Sequence, residues 1–308
     1  MFNQILYLFI ISILLAYSCS NKDKKLDGKP TQAVPTTADT SSITPKIIVE
    51  SPKISYRMIK SVSYSKLLKQ YDTLGTNIIL ALNRVDKNRV RKIDSLVVPD
   101  TFLSDYNLYS PFPQRIDILE KVKKIIIISQ THQAFALYEF GNLVKWGPTS
   151  TGKKSTPTPN GLFATNWKSK KTISTDNNEW ILKWYFNLEN FSGVSLHEYE
   201  LPGYPASHAC ARLLSDDARW IYYWADQWIL TADGENIIAY GTPVIIYGEY
   251  DFKNVKPWKL LPLKPEKGKI NIEELESEIE KHLIIILTRQ DDRDKLLATN
   301  NDSTLIKN

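Results

Sequence analysis

The stretch that decides the fold runs IIIISQTHQAFALYEFGNLVKW, residues 125 to 146. Ile125 to Ile128 is an apolar run of strand length, and between Gln133 and Glu139 the residues Phe135 and Leu137 alternate with Ala136 and Tyr138. Gly141 and Asn142 tolerate a tight reversal, so Leu143 to Trp146 reads as the returning arm of a β-hairpin. Further strand candidates follow at Gly161 to Trp167, Trp180 to Leu188, Val194 to His197 and Val244 to Tyr247. One helix is predicted among them. Ser215 reads as its N-cap, Asp216 and Asp217 suit the positive helix start, and Ala218, Ile221, Ala225, Trp228 and Ile229 share one face. Its aromatic stripe, Trp220, Tyr222, Tyr223 and Trp224, reads as packing and not as a ligand box.

Upstream, Ile78 to Asn83 reads as a helix end, and Asp94 to Pro99 as a turn leading into a short strand. Downstream, Glu273 to Ile286 predicts a second amphipathic helix, acidic at its start, in which His282 is an ordinary residue. The first 21 residues carry no Asp, Glu, Lys or Arg, and Ile5 to Ala16 is strongly apolar. That run is shorter than the ~18 apolar residues a spanning helix needs and ends in Ala16 and Ser18 before Cys19, so an export signal is expected. From Ser20 to about Ser55 the chain is rich in Lys, Thr, Ser and Pro and reads as a flexible tether.

The length of 308 residues allows a large core and a smaller module, and 43% apolar with 24% charged residues is a globular balance. A net charge of +5 with scattered Lys gives no nucleic-acid stripe. There are two cysteines, Cys19 and Cys210. An exported protein that leaves Cys210 without a disulfide either uses it or buries it. Around it the reactive side chains crowd together: His197, then Ser207, His208, Ala209, Cys210, Ala211 and Arg212. A thiol needs a base or a cation to become a nucleophile; an imidazole can take its proton, and a guanidinium can hold a substrate carboxylate.

Three resemblances follow. Leu15 to Cys19, LAYSC, resembles a bacterial lipobox, which implies lipid attachment at Cys19; an ordinary cleaved signal and an uncleaved anchor are the alternatives. ALNRVDKNRVRKIDSLVVP, residues 81 to 99, resembles the second half of a LysM wall-binding module, with a helical spacer as the alternative. His197 followed by SHACAR, with STGKKSTPTPNG from Ser150 to Gly161 and WYFNLENFSGVSLH before the first His, resembles the YkuD-type L,D-transpeptidase catalytic domain.

The last resemblance implies a mainly β fold: a transpeptidase-type β-sandwich with one packed helix, after a small α/β module and before a helical C-terminal extension. The expected divisions are a lipoprotein signal at 1–19, a tether at 20–55, a LysM-like or spacer module at 56–122, the catalytic domain at 123–249 and the extension at 250–308. Carried over by position, Cys210 is the nucleophile, His197 its general base, and His208 a neighbour ordering the loop or the oxyanion site. Arg212 would hold a substrate carboxylate and the Cys210 loop, with Ser207 beside it and main-chain N–H groups around Ala209 and Cys210 holding the oxyanion. Ala209 stands where the family has Gly, and Glu198 where Gly or Ser is common. The implied reaction joins peptidoglycan stem peptides through a thioester, without metal or cofactor, and carbapenem-type β-lactams are expected to acylate Cys210. The expected setting is the periplasm-facing cell envelope, with membrane contact through the lipid anchor. Water as acceptor would make a carboxypeptidase, and loss of catalysis would leave a wall-binding lipoprotein. A zinc site at His197, His208 and Cys210 lacks a carboxylate ligand at motif spacing. Sortase-like and papain-like arrangements fail on sequence context and on residue order.

Overall fold

The computed structural model describes residues 52–174, 179–191 and 193–305. The expected export signal, Cys19 with its lipobox-like stretch and nearly all of the expected tether lie outside the described residues. Among the described residues no helix is long and apolar enough to cross a membrane. The described residues fall in one compact unit.

Strand β1 (Tyr56–Lys60), helix α1 (Tyr64–Leu82) and strand β2 (Ser95–Pro99) open this unit. β1 and β2 pair antiparallel, from Tyr56 opposite Pro99 to Lys60 opposite Ser95. α1 is broken at Asp72, which takes a left-handed φ of 55° while its carboxylate accepts the Gly75 N–H at 2.7 Å. An aspartate cap restarts the helix there, giving two helical segments between two strands. Asn83 closes the second segment by donating to the Ile79 and Val97 carbonyls, both at 2.8 Å, and accepting the Val97 N–H at 2.9 Å. The side chain thus stitches the helix end to β2.

The main sheet is built from β3 (Ile125–Ser129), β4 (Ala134–Glu139), β5 (Asn142–Ser150), β6 (Gly161–Ala164), β7 (Lys168–Ile173), β8 (Ile181–Asn187), β9 (Ser195–Glu198) and β10 (Ala211–Leu213). After helix α2 (Ser215–Trp224) and the short pair β11 (Ile229–Leu230) and β12 (Ile237–Ala239), the sheet is completed by β13 (Pro243–Tyr247). Its nine strands run in the order β6-β13-β3-β4-β5-β10-β9-β8-β7. Two of its pairs, β13 with β3 and β10 with β9, are parallel. The final helix is α3 (Ile272–Leu305).

Period two sorts the apolar side chains between two cores. Ile126, Ile128, Phe135, Leu137, Val244 and Ile246 from one half of the sheet share a core with Phe186, Leu196 and Leu213 from the other half and with Ala218 and Ile221 of α2. The expected sandwich is therefore one continuous sheet curled so that its halves close on α2. The alternate residues Ile125, Ile127, Ala136 and Tyr138 face the opposite way, onto Ile78, Ala81, Leu82 and Val97 of the N-terminal segment and Leu275, Ile279 and Ile286 of α3.

Several sequence expectations shift in detail. Ser215 is the first residue of α2 and not its cap; Leu214 holds that position with no side-chain cap hydrogen bond. The helix ends at Trp224 because Ala225 is extended, and Ile229 goes to β11 instead of the helix face. Asp217 does favour the helix start, but as a buried carboxylate paired with Lys145 at 2.7 Å. α3 is 34 residues long, well beyond Ile286.

Candidate active site

The site is assembled where β9 and β10 run side by side, with Ala211 opposite Leu196 and Arg212 opposite His197. Alternation sends Leu196, Ala211 and Leu213 into the core shared with α2. Ser195, His197 and Arg212 consequently emerge on the other face. Cys210, the residue before β10, joins them: its thiol accepts the Ser195 hydroxyl at 3.1 Å and donates to the Gly193 carbonyl at 3.1 Å. It is half-buried and lines a pocket of about 30 Å³ together with His197, Ser207, His208 and Arg212, under the rim of Trp180, Leu182 and Tyr199. The structure therefore brings the sequence-predicted residues to one opening.

His197 is buried, with 4% exposure. Its ring lies parallel to Tyr185, centroids 6.4 Å apart, and edge-on to Tyr199 at 6.0 Å. Nδ1 sits 2.9 Å from the Glu198 carbonyl. A carbonyl can only accept, so Nδ1 carries the proton and the Nε2 lone pair is left as the basic atom. Burial pushes the His197 pKa down to about 4, the Glu198 carbonyl opposing that shift and the Arg212 charge adding to it.

His208 is held differently. Lys153 Nζ lies 2.8 Å from its Nε2, so the ammonium donates and the ring proton is placed on Nδ1. That Nδ1 is buried with no hydrogen-bond partner in the protein, and Trp180 packs across the ring at 5.4 Å. Arg212 stacks its guanidinium 4.5 Å from the centre of the Tyr199 ring. Burial lowers its pKa from the ordinary value, opposed by Tyr199 and Cys210.

The reactive turn is braced from 149–158. Ser207 donates its hydroxyl to the Cys210 carbonyl at 2.5 Å, and its own carbonyl accepts the Lys153 N–H and the Thr156 hydroxyl, both at 3.0 Å. Thr158 donates its hydroxyl to the Ala209 carbonyl at 2.8 Å. Ala209 sits at φ 69°, the left-handed backbone that its replacement of Gly makes costly. Its N–H donates to the Thr156 carbonyl at 3.2 Å. That bond ties Ala209 into the turn. The Glu198 carboxylate has Lys183 Nζ at 3.8 Å.

Among the described residues no three His, Cys, Asp or Glu side chains converge closely enough to hold a metal ion. Sequence reading gave no role to Ser195, Lys153, Tyr185 or Tyr199. Only Ser195 carried a signal that could have found it, its position two residues before His197 on one strand.

The family model for YkuD, the L,D-transpeptidase catalytic domain, matches residues 123–246. Among solved structures, LdtMt1 in complex with imipenem is 22% identical, with a TM-score of 0.32, and the match covers 41% of this chain and 59% of that one. The L,D-transpeptidase from Mycobacterium smegmatis is 20% identical, with a TM-score of 0.33 and the same coverages of 41% and 59%. An L,D-transpeptidase from Mycobacterium tuberculosis H37Rv is 19% identical over 50% of this chain and 72% of that chain, with a TM-score of 0.33. No curated protein matches the chain. Over residues 123–246 this chain is thus similar to the YkuD family, the L,D-transpeptidase catalytic domain.

Proposed function

We propose that this chain is a peptidoglycan L,D-transpeptidase that works through a thioester on Cys210. The observation that carries the proposal is the convergence of Cys210, His197 and Arg212 on one opening. At rest the thiol donates to the Gly193 carbonyl and His197 is neutral, so the pair is held un-ionised. A peptide carbonyl entering the pocket meets the sulfur while His197 Nε2 takes the thiol proton. The thiolate then has the Ser195 hydroxyl as a donor and the Arg212 charge nearby.

The S–C bond forms as the carbonyl π pair moves onto oxygen. Collapse of that oxyanion breaks the C–N bond to the terminal D-Ala, whose amine leaves with the proton from His197. An amine of a second stem then attacks the thioester carbonyl, gives a proton to His197, and expels the sulfur. Water in place of that amine yields the carboxypeptidase product. His208, its Nδ1–H fixed by Lys153, is a donor available to the oxyanion. Lipid attachment at Cys19 and a periplasm-facing envelope location complete the proposal, and both rest on the sequence of residues 1–55.

Two measurements test it. Whole-protein mass spectrometry after carbapenem treatment is expected to show one adduct that disappears in Cys210→Ala; an adduct that survives the substitution defeats the assignment. Incubation with tetrapeptide muropeptides is expected to release D-Ala and give cross-linked dimers or trimmed tripeptides. Unchanged muropeptides with a properly folded enzyme defeat the activity.

A further inference from the structure

A second cleft, of about 380 Å³, lies where the turn after α1 meets the loop preceding the reactive turn and the segment after β13. Arg89, Lys92, Lys256 and Lys259 line it against one carboxylate, Asp94. Arg89 is paired with Glu200, which leaves three lysines facing Asp94. Lys259 is drawn inward onto neutral acceptors, the Asn83 side-chain oxygen at 3.2 Å and the Ser95 carbonyl. Lys256 lies 5.6 Å from the centre of the Tyr204 ring. Burial pushes the Lys259 pKa down to about 8, and burial lowers that of Lys256 as well. Trp258, 1% exposed, lines the same cleft, and its indole N–H has no acceptor in the protein. A concave surface with surplus cations and an unmatched buried donor suits an anionic group.

The cleft is wired to the active site. The Tyr204 carbonyl accepts the Ser150 hydroxyl at 2.8 Å, and Ser150 pairs with Arg212. Glu200 and Arg89 are both close enough to act electrostatically on the Arg212 charge. The pocket at Cys210 is small, about 30 Å³, beside the roughly twelvefold larger cleft of about 380 Å³, so a long peptide would extend past it.

We propose that the cleft lined by Lys92, Lys256, Lys259 and Trp258 is a second substrate subsite, which binds a carboxylate of the wall peptide whose reacting end lies at Cys210. The source of that carboxylate rests on the transpeptidase reading above. The test uses the full chain with Cys210→Ala, which prevents turnover, and isothermal titration with two probes: a disaccharide-tetrapeptide and the same compound with its carboxylates amidated. Each is titrated into that protein and into a version that also carries Lys92→Glu and Lys256→Glu, with Lys92→Gln and Lys256→Gln as the fallback if charge reversal prevents folding. Amidation and charge change are each expected to weaken binding by roughly tenfold, and the two together by little more than either alone, because they remove one interaction. Independent losses, equal affinity for both proteins, or no binding by the parent overturn the subsite. Carbapenem acylation of the unsubstituted chain is read separately: an adduct with no cleft effect refutes the subsite alone, whereas absence of any adduct refutes the catalytic reading.

Discussion

Ala209 holds a left-handed φ of 69° in the turn that presents Cys210, a conformation that costs an L-residue about 1 to 2 kcal/mol relative to Gly. Ala209→Gly is therefore expected to raise the unfolding free energy by about 1 kcal/mol, read as a higher midpoint in urea. An unchanged or lower midpoint means the packing of the methyl group outweighs the strain. Lys153 makes a second case. Lys153→Met removes the ammonium that fixes the proton of His208 on Nδ1, and kcat is expected to fall by roughly tenfold with KM little changed. The nitrogen shifts of the His208 ring should move with it, a readout that general loosening of the turn would not give. His197 sets the acid limb of the rate profile: burial holds it unprotonated down to about pH 4, so kcat/KM should persist below the ordinary imidazole range near 6.5. A limb at 6.5 means another group titrates. The residues of the candidate site could be singled out because their chemistry is local: SHACAR and His197 stand out by type and order. Their supports could not, since Tyr185 reaches His197 through the pairing of β8 with β9 and Lys153 reaches His208 beside the isolated bridge of Gly152 to Ser207, neither of which any spacing in the chain encodes.

Among the elements, the turn after α1 holds the loop that leads to the site. Asp86 accepts main-chain N–H groups from Asn88 at 2.6 Å, Arg89 at 2.9 Å and, across a long separation in sequence, Leu201 at 2.7 Å. Val85 bridges to Pro202 beside it. Asp86→Ala leaves the Asn88 and Leu201 N–H groups without their acceptor and is expected to cost about 2 to 4 kcal/mol. Turnover should fall along with stability, because the loop from Leu201 feeds the reactive turn; a variant that is destabilised but turns over normally argues against that coupling. Element existence was readable where the pattern was strong: the 125–146 hairpin, the β2 strand and the α2 and α3 helices all appear. Element ends were less so. Ala225 leaves the helix because its carbonyl and the neighbouring Asp226 are drawn to Lys168 and Thr165 on the sheet, a tertiary competition invisible in the helix face itself. The bulge in β8, where Trp184 takes a φ of 51°, was equally hidden.

At the scale of the molecule, two buried imidazoles make stability depend on pH. His132 and His197 both have pKa values pushed down to about 4, chiefly by burial, against an ordinary 6.5. The unfolded chain takes up these protons once pH falls below 6.5, while the folded chain refuses them until about pH 4. Stability from this source is thus full above 6.5, drains across 6.5 to 4, and is constant below. Urea midpoints at pH 7, 5.5 and 4.5 should fall in that order, and His132→Gln should flatten the trend; a slope untouched by the substitution removes His132 from the account. The mainly β class was legible, whereas the division of labour between the two faces of the sheet was not, because Ile125 to Ile128 is apolar at every position and names no partner. The partners turn out to be the N-terminal segment and α3 on one side and α2 on the other. A protein trimmed to begin at Lys123, where the match to the YkuD family starts, would strip Ile125, Ile127, Ala136 and Tyr138 of much of their cover. Expressed alone, such a fragment should clump or bind fluorescent apolar dyes, and adding back residues 52–122 should keep it dispersed.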